Sequence, residues 1–134
     1  MKICVVIANY YPSISRSLIR GVTETLKKNK INNFKKIFVP GVFEIPVIIS
    51  KNVKKYDGFI ALGCVIKGET PHYDFISKTT MDAIMDLSVK NKKPIGNGII
   101  TCLNLNQALA RKNKGKEAAK AVISVLDNFN DWKF

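Results

Sequence analysis

Four short runs rich in β-branched residues, each followed by a stretch of helical spacing, constrain the fold of this chain more than any other feature. Residues 2–8 (KICVVIA) are apolar almost without a break. A half-exposed strand alternates apolar and polar residues, so a continuous run predicts burial on both faces, as in a parallel sheet covered by helices. Further strands are expected at 35–39, ended by Pro40-Gly41, at 58–66, ended by Lys67-Gly68, and at 94–100.

Helices fill the intervals. Leu18, Ile19, Val22 and Leu26 share one face, with Ser13 or Ser15 available as N-cap. Residues 42–53 read as helical, with Pro46 tolerable only in the first turn. A long helix is expected at about 72–91, its apolar face running through Ile76, Ala83, Ile84 and Leu87. A short helix at 104–111 and a break near Asn113-Lys114-Gly115 precede a last helix to about residue 128. That helix is expected to bury Ala118, Val122, Val125, Leu126 and Phe129, and its basic start, Lys114 and Lys116, opposes the helix dipole unless an anion binds there.

No repeat or linker interrupts the pattern, so a single domain over 1–134 is expected. Strand–helix alternation predicts an α/β fold, a flavodoxin-like three-layer sandwich with a four-stranded parallel sheet in the order 2-1-3-4. The order reverses between strands 1 and 3, and ligands bind beyond the strand ends at such a switch point. Two loops are thereby singled out, 9–15 and 67–72.

Composition narrows the class. No apolar run approaches the roughly 18 residues of a transmembrane helix. Asn9-Tyr10-Tyr11-Pro12 cuts the first apolar run too early for a secretory leader, and a cytoplasmic location is expected. Cys4, Cys64 and Cys102 match no zinc spacing and sit in or beside apolar runs, which predicts reduced, buried, non-catalytic thiols. The net charge of +12 favours anionic partners, but it comes from lysines spread along the sequence, with only Arg16, Arg20 and Arg111 as arginines. Nucleic acid is therefore not expected as a partner.

The chemically loaded residues fall at the switch point. His72, the only histidine, follows a buried strand and opens a helix, and histidine is the residue type whose unperturbed pKa, about 6.5, suits proton transfer in both directions. Tyr10 and Tyr11 follow strand 1, where an aromatic face can stack on a planar heterocycle. Glu44 follows strand 2 toward the same side, and Arg111, at the break between the last two helices, has the planar fork that grips phosphate. Each also has a purely structural explanation in capping or packing. No Walker loop or GxGxxG is present, which argues against a nucleoside triphosphate or dinucleotide.

Three ordered blocks carry a resemblance. ALGCVIKGETPHYD (61–74) is similar to the ALGxVIxGxTxHxD signature of the lumazine synthases, and VPGVFEIP (39–46) to their VPGAFEIP. The third block is Gly98-Ile99-Ile100-Thr101 with Gln107-Ala108, Arg111 and Asn113-Lys114-Gly115. The resemblance implies an enzyme that condenses a ribitylamino-pyrimidine with a four-carbon ketose phosphate to give lumazine, phosphate and water, with no metal or organic cofactor.

It also implies roles. Tyr10 would stack on the pyrimidine, Val42, Phe43 and Glu44 would line the ribityl chain, and the backbone of Cys64, Val65 and Ile66 would bind the pyrimidine's polar edge. Glu69 and Thr70 would hold the ketose phosphate, joined from across a subunit boundary by Arg111 and Lys114. His72 would move protons, with Glu117 orienting it. Asn97 replaces a hydrophobic residue that closes the pyrimidine pocket from a neighbouring subunit. A homopentamer is implied, while the missing glycine-rich insert after Arg111 predicts that pentamers do not build a hollow shell. The chain also begins at its first strand, without the N-terminal extension of many relatives. The rival readings are a related riboflavin synthase and a non-enzymatic flavin- or lumazine-binding scaffold.

Overall fold

A computed structural model describes residues 1–68 and 72–127. The strands β1 (Ile3–Ala8), β2 (Phe34–Val39), β3 (Gly58–Ile66) and β4 (Ile95–Cys102) form one parallel sheet in the order β2-β1-β3-β4. All residues of β1 and β3 are buried, because these are the two central strands and helices cover both their faces. On the outer strand β2, by contrast, Lys35 and Lys36 are exposed. The continuous apolar runs thus mark the middle of the sheet, as the sequence pattern requires.

Alternate residues of β1 point to two separate cores. Ile3, Val5 and Ile7 join Leu18, Val22 and Leu26 of α1 (Pro12–Lys28) with Ala118, Val122 and Ile123. Cys4, Val6 and Ala8 join Val42, Ile45, Ile49 and Ile84 on the other face. A 3-10 turn (Val42–Glu44) and α2 (Ile45–Asn52) replace the single expected helix, with Pro46 in the first turn of α2. The sandwich is completed by α3 (Tyr73–Asn91), α4 (Leu105–Ala110) and α5 (Lys114–Asp127).

Some expectations need correction. Neither Ser13 nor Ser15 caps α1, whose N-cap is Tyr11 with Pro12 opening the helix. The missing N–H of proline costs nothing at that position. On α5 the buried stripe runs through Gly115, Ala118, Ala119, Val122 and Ile123, whereas Val125 lies at its margin and is 49% exposed. The expected Phe129 contact lies outside the described residues. On α3, Thr80 and Ile84 are buried, while Ile76, Ala83 and Leu87 are only half-buried. At about 100° per residue, Phe75, Met85 and Val89 form an opposite stripe, and they are 68%, 64% and 68% exposed. Thus α3 is apolar on two sides, and its own chain covers one of them.

The close approach of α5 depends on glycine. A Cβ on Gly115 would run into the Leu18 carbonyl oxygen of α1, and one on Gly96 of β4 into that of Ala118.

Candidate active site

The carboxyl ends of β1, β2 and β3 surround a cavity of about 450 Å³. Its first wall is the turn after β1. Tyr10 and Tyr11 meet edge to face, with ring centroids 4.8 Å apart at 71°, a favourable arrangement of two ring quadrupoles. The Asn9 N–H donates to the Val39 carbonyl at 2.9 Å, which ties this turn to β2. Ser15, only 2% exposed, lies beneath it, with its hydroxyl 3.1 Å from the carbonyl oxygens of both Ala8 and Tyr11. The single hydroxyl proton serves one of them at a time.

The second wall follows β2. Pro40-Gly41 ends the strand, and the Gly41 N–H donates to Glu44 Oε1 at 3.0 Å, which folds the carboxylate back over the start of the 3-10 turn. Val42 is buried and Phe43 is 55% exposed toward solvent. A Cβ on Gly63 of β3 would lie 2.6 Å from Val42 Cγ1 and 3.0 Å from Ala8 Cβ. The glycine therefore lets Val42 settle onto β3 as part of the cavity. Cys64, Val65 and Ile66 line it from β3, and Ile76 from α3.

One turn before Ile76, His72 is the N-cap of α3. Its carbonyl accepts the Ile76 N–H at 2.8 Å, and the residue is exposed. It is not among the described residues lining the cavity. Glu69 and Thr70 lie outside the described residues.

A second cavity, about 400 Å³, is lined by Ile99, Ile100, Thr101, Ala110, Arg111, Asn113, Lys114 and Glu117. Asn104 caps α4, its Oδ1 accepting the Gln107 N–H at 2.9 Å while Gln107 Oε1 accepts the Leu103 N–H at 2.7 Å. This reciprocal capping fixes the short helix and brings Arg111 to its end. There Arg111 Nη1 donates to the Thr101 carbonyl at 2.6 Å. Pro94 and Cys102 turn their carbonyls to β3. Alternation along the strand therefore turns Thr101 outward, and Arg111 sits at the outer edge of the sheet.

Asn97 lies on the same outer strand and lines neither cavity. Its Oδ1 accepts the Ile99 N–H at 3.1 Å and its amide nitrogen lies 3.3 Å from Met81 Sδ. Asn97 and Arg111 together satisfy backbone groups that an edge strand leaves open.

The cysteines are free and buried. Burial pushes the Cys64 thiol up to about 12, helped by the adjacent Cys102 thiol, and burial raises Cys4 to about 11. Neither Cys4 nor Cys64 is a thiolate near neutral pH, so these two are not nucleophiles there. No three His, Cys, Asp or Glu side chains converge as metal ligands among the described residues.

Eight of the residues singled out in the sequence therefore share one cavity: Tyr10, Tyr11, Val42, Phe43, Glu44, Cys64, Val65 and Ile66. Arg111 and Lys114 share another with Glu117. Sequence reasoning took Ile76 for core alone, since its helical spacing gives no sign that it also faces a ligand space. The Thr101 carbonyl that holds Arg111 has no sequence signal, because any residue carries a carbonyl.

The family profile described as 6,7-dimethyl-8-ribityllumazine synthase matches residues 1–130. Proteins named 6,7-dimethyl-8-ribityllumazine synthase are similar over most of their length. That of Bartonella tribocorum is 40% identical over 132 residues, covering 92% of this chain and 87% of the relative. The Bartonella henselae protein is 41% identical over 135 residues (94% and 86%), and the Limosilactobacillus reuteri protein 38% over 130 residues (94% and 86%).

Proposed function

The chain belongs to the 6,7-dimethyl-8-ribityllumazine synthase family, and from that premise we propose how its residues divide the work of the reaction. As a member it is an enzyme of riboflavin biosynthesis. It condenses 5-amino-6-(D-ribitylamino)uracil with 3,4-dihydroxy-2-butanone 4-phosphate to give the lumazine, phosphate and water.

One observation carries the assignment of the site: an aromatic plate, a carboxylate and the end of a buried strand face a single cavity at the switch point of the sheet. Tyr10 stacks on the planar pyrimidine, with Tyr11 bracing its ring. Val42, Phe43 and Glu44 line the ribityl chain, the carboxylate accepting hydrogen bonds from its hydroxyls. The backbone at Cys64, Val65 and Ile66 holds the polar edge of the ring. The substrate amine attacks the ketone, water leaves, phosphate is eliminated and the ring closes. These steps require positioning, proton transfer and stabilisation of a departing anion. His72 moves the protons, oriented by Glu117 from the neighbouring subunit, and Glu69 and Thr70 hold the ketose phosphate.

Arg111 and Lys114 supply the cations for that phosphate, and they line a different cavity from the aromatic plate. This separation supports a site shared between copies, in which Arg111, Lys114 and Asn97 of one subunit complete the cavity of the next. A contact of that kind is heterologous and closes into a ring, which we take to be a homopentamer. The exposed stripe of Phe75, Met85 and Val89 on α3 supplies apolar surface for the contact. No helix among the described residues is long and apolar enough to cross a membrane. The free buried thiols suit a reducing compartment, which supports a cytoplasmic location.

Purified protein is expected to form the lumazine, followed by its absorbance, and to release phosphate from the two substrates with no metal added. Binding of the pyrimidine without turnover would favour the scaffold reading. Turnover of the lumazine itself to riboflavin would favour the related synthase.

A further inference from the structure

The lysines are spread along the sequence, but the parallel sheet gathers many of them. All four strands begin at one end of the molecule, and α1, α2 and α3 finish there. Lys27 and Lys28 close α1, Lys51 lies in the last turn of α2 and Lys90 in that of α3. The helix dipole favours a cation at each of these places. It does not account for Lys2 ahead of β1, for Lys35 in β2, or for Lys54 and Lys55 between α2 and β3. Those four exposed lysines line one open groove of about 640 Å³ with Asn33, Phe34 and Tyr56. The groove lies at the opposite end of the sheet from the aromatic cavity.

Like charges around one groove repel each other, so the arrangement favours an anion between them. The ion pairs among the described residues are Lys78–Asp82 and Lys90–Asp86, and neither involves the groove. Asp57, beside the groove, has one carboxylate oxygen accepting the Lys2 backbone N–H at 2.7 Å. We propose that this groove binds a linear chain of phosphate groups, an inorganic polyphosphate.

The chemistry of the lining selects that partner. Lysine ammonium groups are point charges that follow closely spaced phosphates without demanding an orientation. Lysine also holds nucleic-acid backbones, but stacking on bases calls for accessible aromatic faces and reading base edges calls for forked side chains. No arginine lines the groove, and the Tyr56 ring is half-buried in a T-shaped contact with Phe59, centroids 5.9 Å apart. Insertion into a lipid surface, beyond electrostatic attraction to its headgroups, calls for exposed apolar groups, but Ile3 is buried and Phe34 half-buried.

Isothermal titration with long-chain inorganic polyphosphate at two salt concentrations tests the proposal. Lys54→Glu with Lys55→Glu is expected to weaken binding about tenfold and to lower the salt slope by about one per lysine. Lumazine formation and the thermal midpoint should not change. Lys116→Glu with Lys120→Glu changes net charge equally on α5 and should leave affinity within about twofold, since screened charges act little at a distance. Arg111→Ala should leave polyphosphate binding intact, which separates this groove from the substrate-phosphate site whether or not the reading of that site holds. Equal losses in the two lysine pairs would reduce the effect to net charge and overturn the proposal. So would loss of binding in Arg111→Ala, or tighter binding of a homopolymeric RNA or of phosphatidylserine vesicles.

Discussion

At the scale of single residues, Arg111 and His72 are expected to fail differently when changed. Arg111→Ala removes a charge-assisted contact worth roughly 1.5–3 kcal/mol, so the KM for the ketose phosphate should rise about ten- to a hundredfold while that for the pyrimidine hardly moves. His72→Ala should lower kcat by about a hundredfold, the low end for a proton-transfer group, because the intrinsic reactivity of the substrates survives. Steady-state kinetics against each substrate separates the two, and equal effects on both would show that the site is misassigned. The thiols allow a second test. With Cys64 raised to about 12 and Cys4 to about 11, both should resist iodoacetamide at pH 8 in the native protein and react once urea unfolds it, as read by mass. Their folded pKa values lie above the ordinary 9.0, so this contribution to stability is fully present below about pH 9. It is lost as pH rises toward 11 and 12, because the unfolded chain releases its protons first.

Between elements, the tightest packing is that of α5 against α1 and β4, and it is set by backbone rather than by side chains. Gly115→Ala places a methyl group against the Leu18 carbonyl, an atom of a helix that cannot rotate away. Urea unfolding should show a loss of roughly 1–3 kcal/mol, as overpacking does elsewhere. An unchanged midpoint would mean that the two helices slide apart freely. Since α5 also carries Lys114 and Glu117, the same variant should weaken the ketose phosphate more than the pyrimidine.

For the whole molecule the expectation is a ring. Sedimentation of the wild type should give a pentamer or a pair of them. The shortened connection after Arg111 and a charge of +12 per chain argue against a capsid-sized shell. Placing aspartate at Met85, which is 64% exposed on the uncovered face of α3, should dissociate the ring and abolish lumazine formation while leaving the chain folded by circular dichroism. An active monomer would remove the basis for shared sites.

The parallel sheet was legible in the strand pattern, and its order is the one expected. The run GFIALGCVI is apolar at almost every position, so burial on both faces was the one environment open to it, and β3 spans Gly58–Ile66 as expected. The signature blocks likewise placed Glu44 in the turn after β2 and Val65 near the end of β3, because turn residues such as Pro40-Gly41 act locally. What lay beyond sequence was any property set by a partner distant along the chain. Ser15 read as a helix cap until the turn from Ala8 to Tyr11 offered its hydroxyl two carbonyls. Val125 read as core because spacing gives the width of a stripe only loosely, and packing against β4 and α1 decides its margin. Tertiary structure also turned lysines that look dispersed into one groove, since a parallel sheet returns every strand start to the same end.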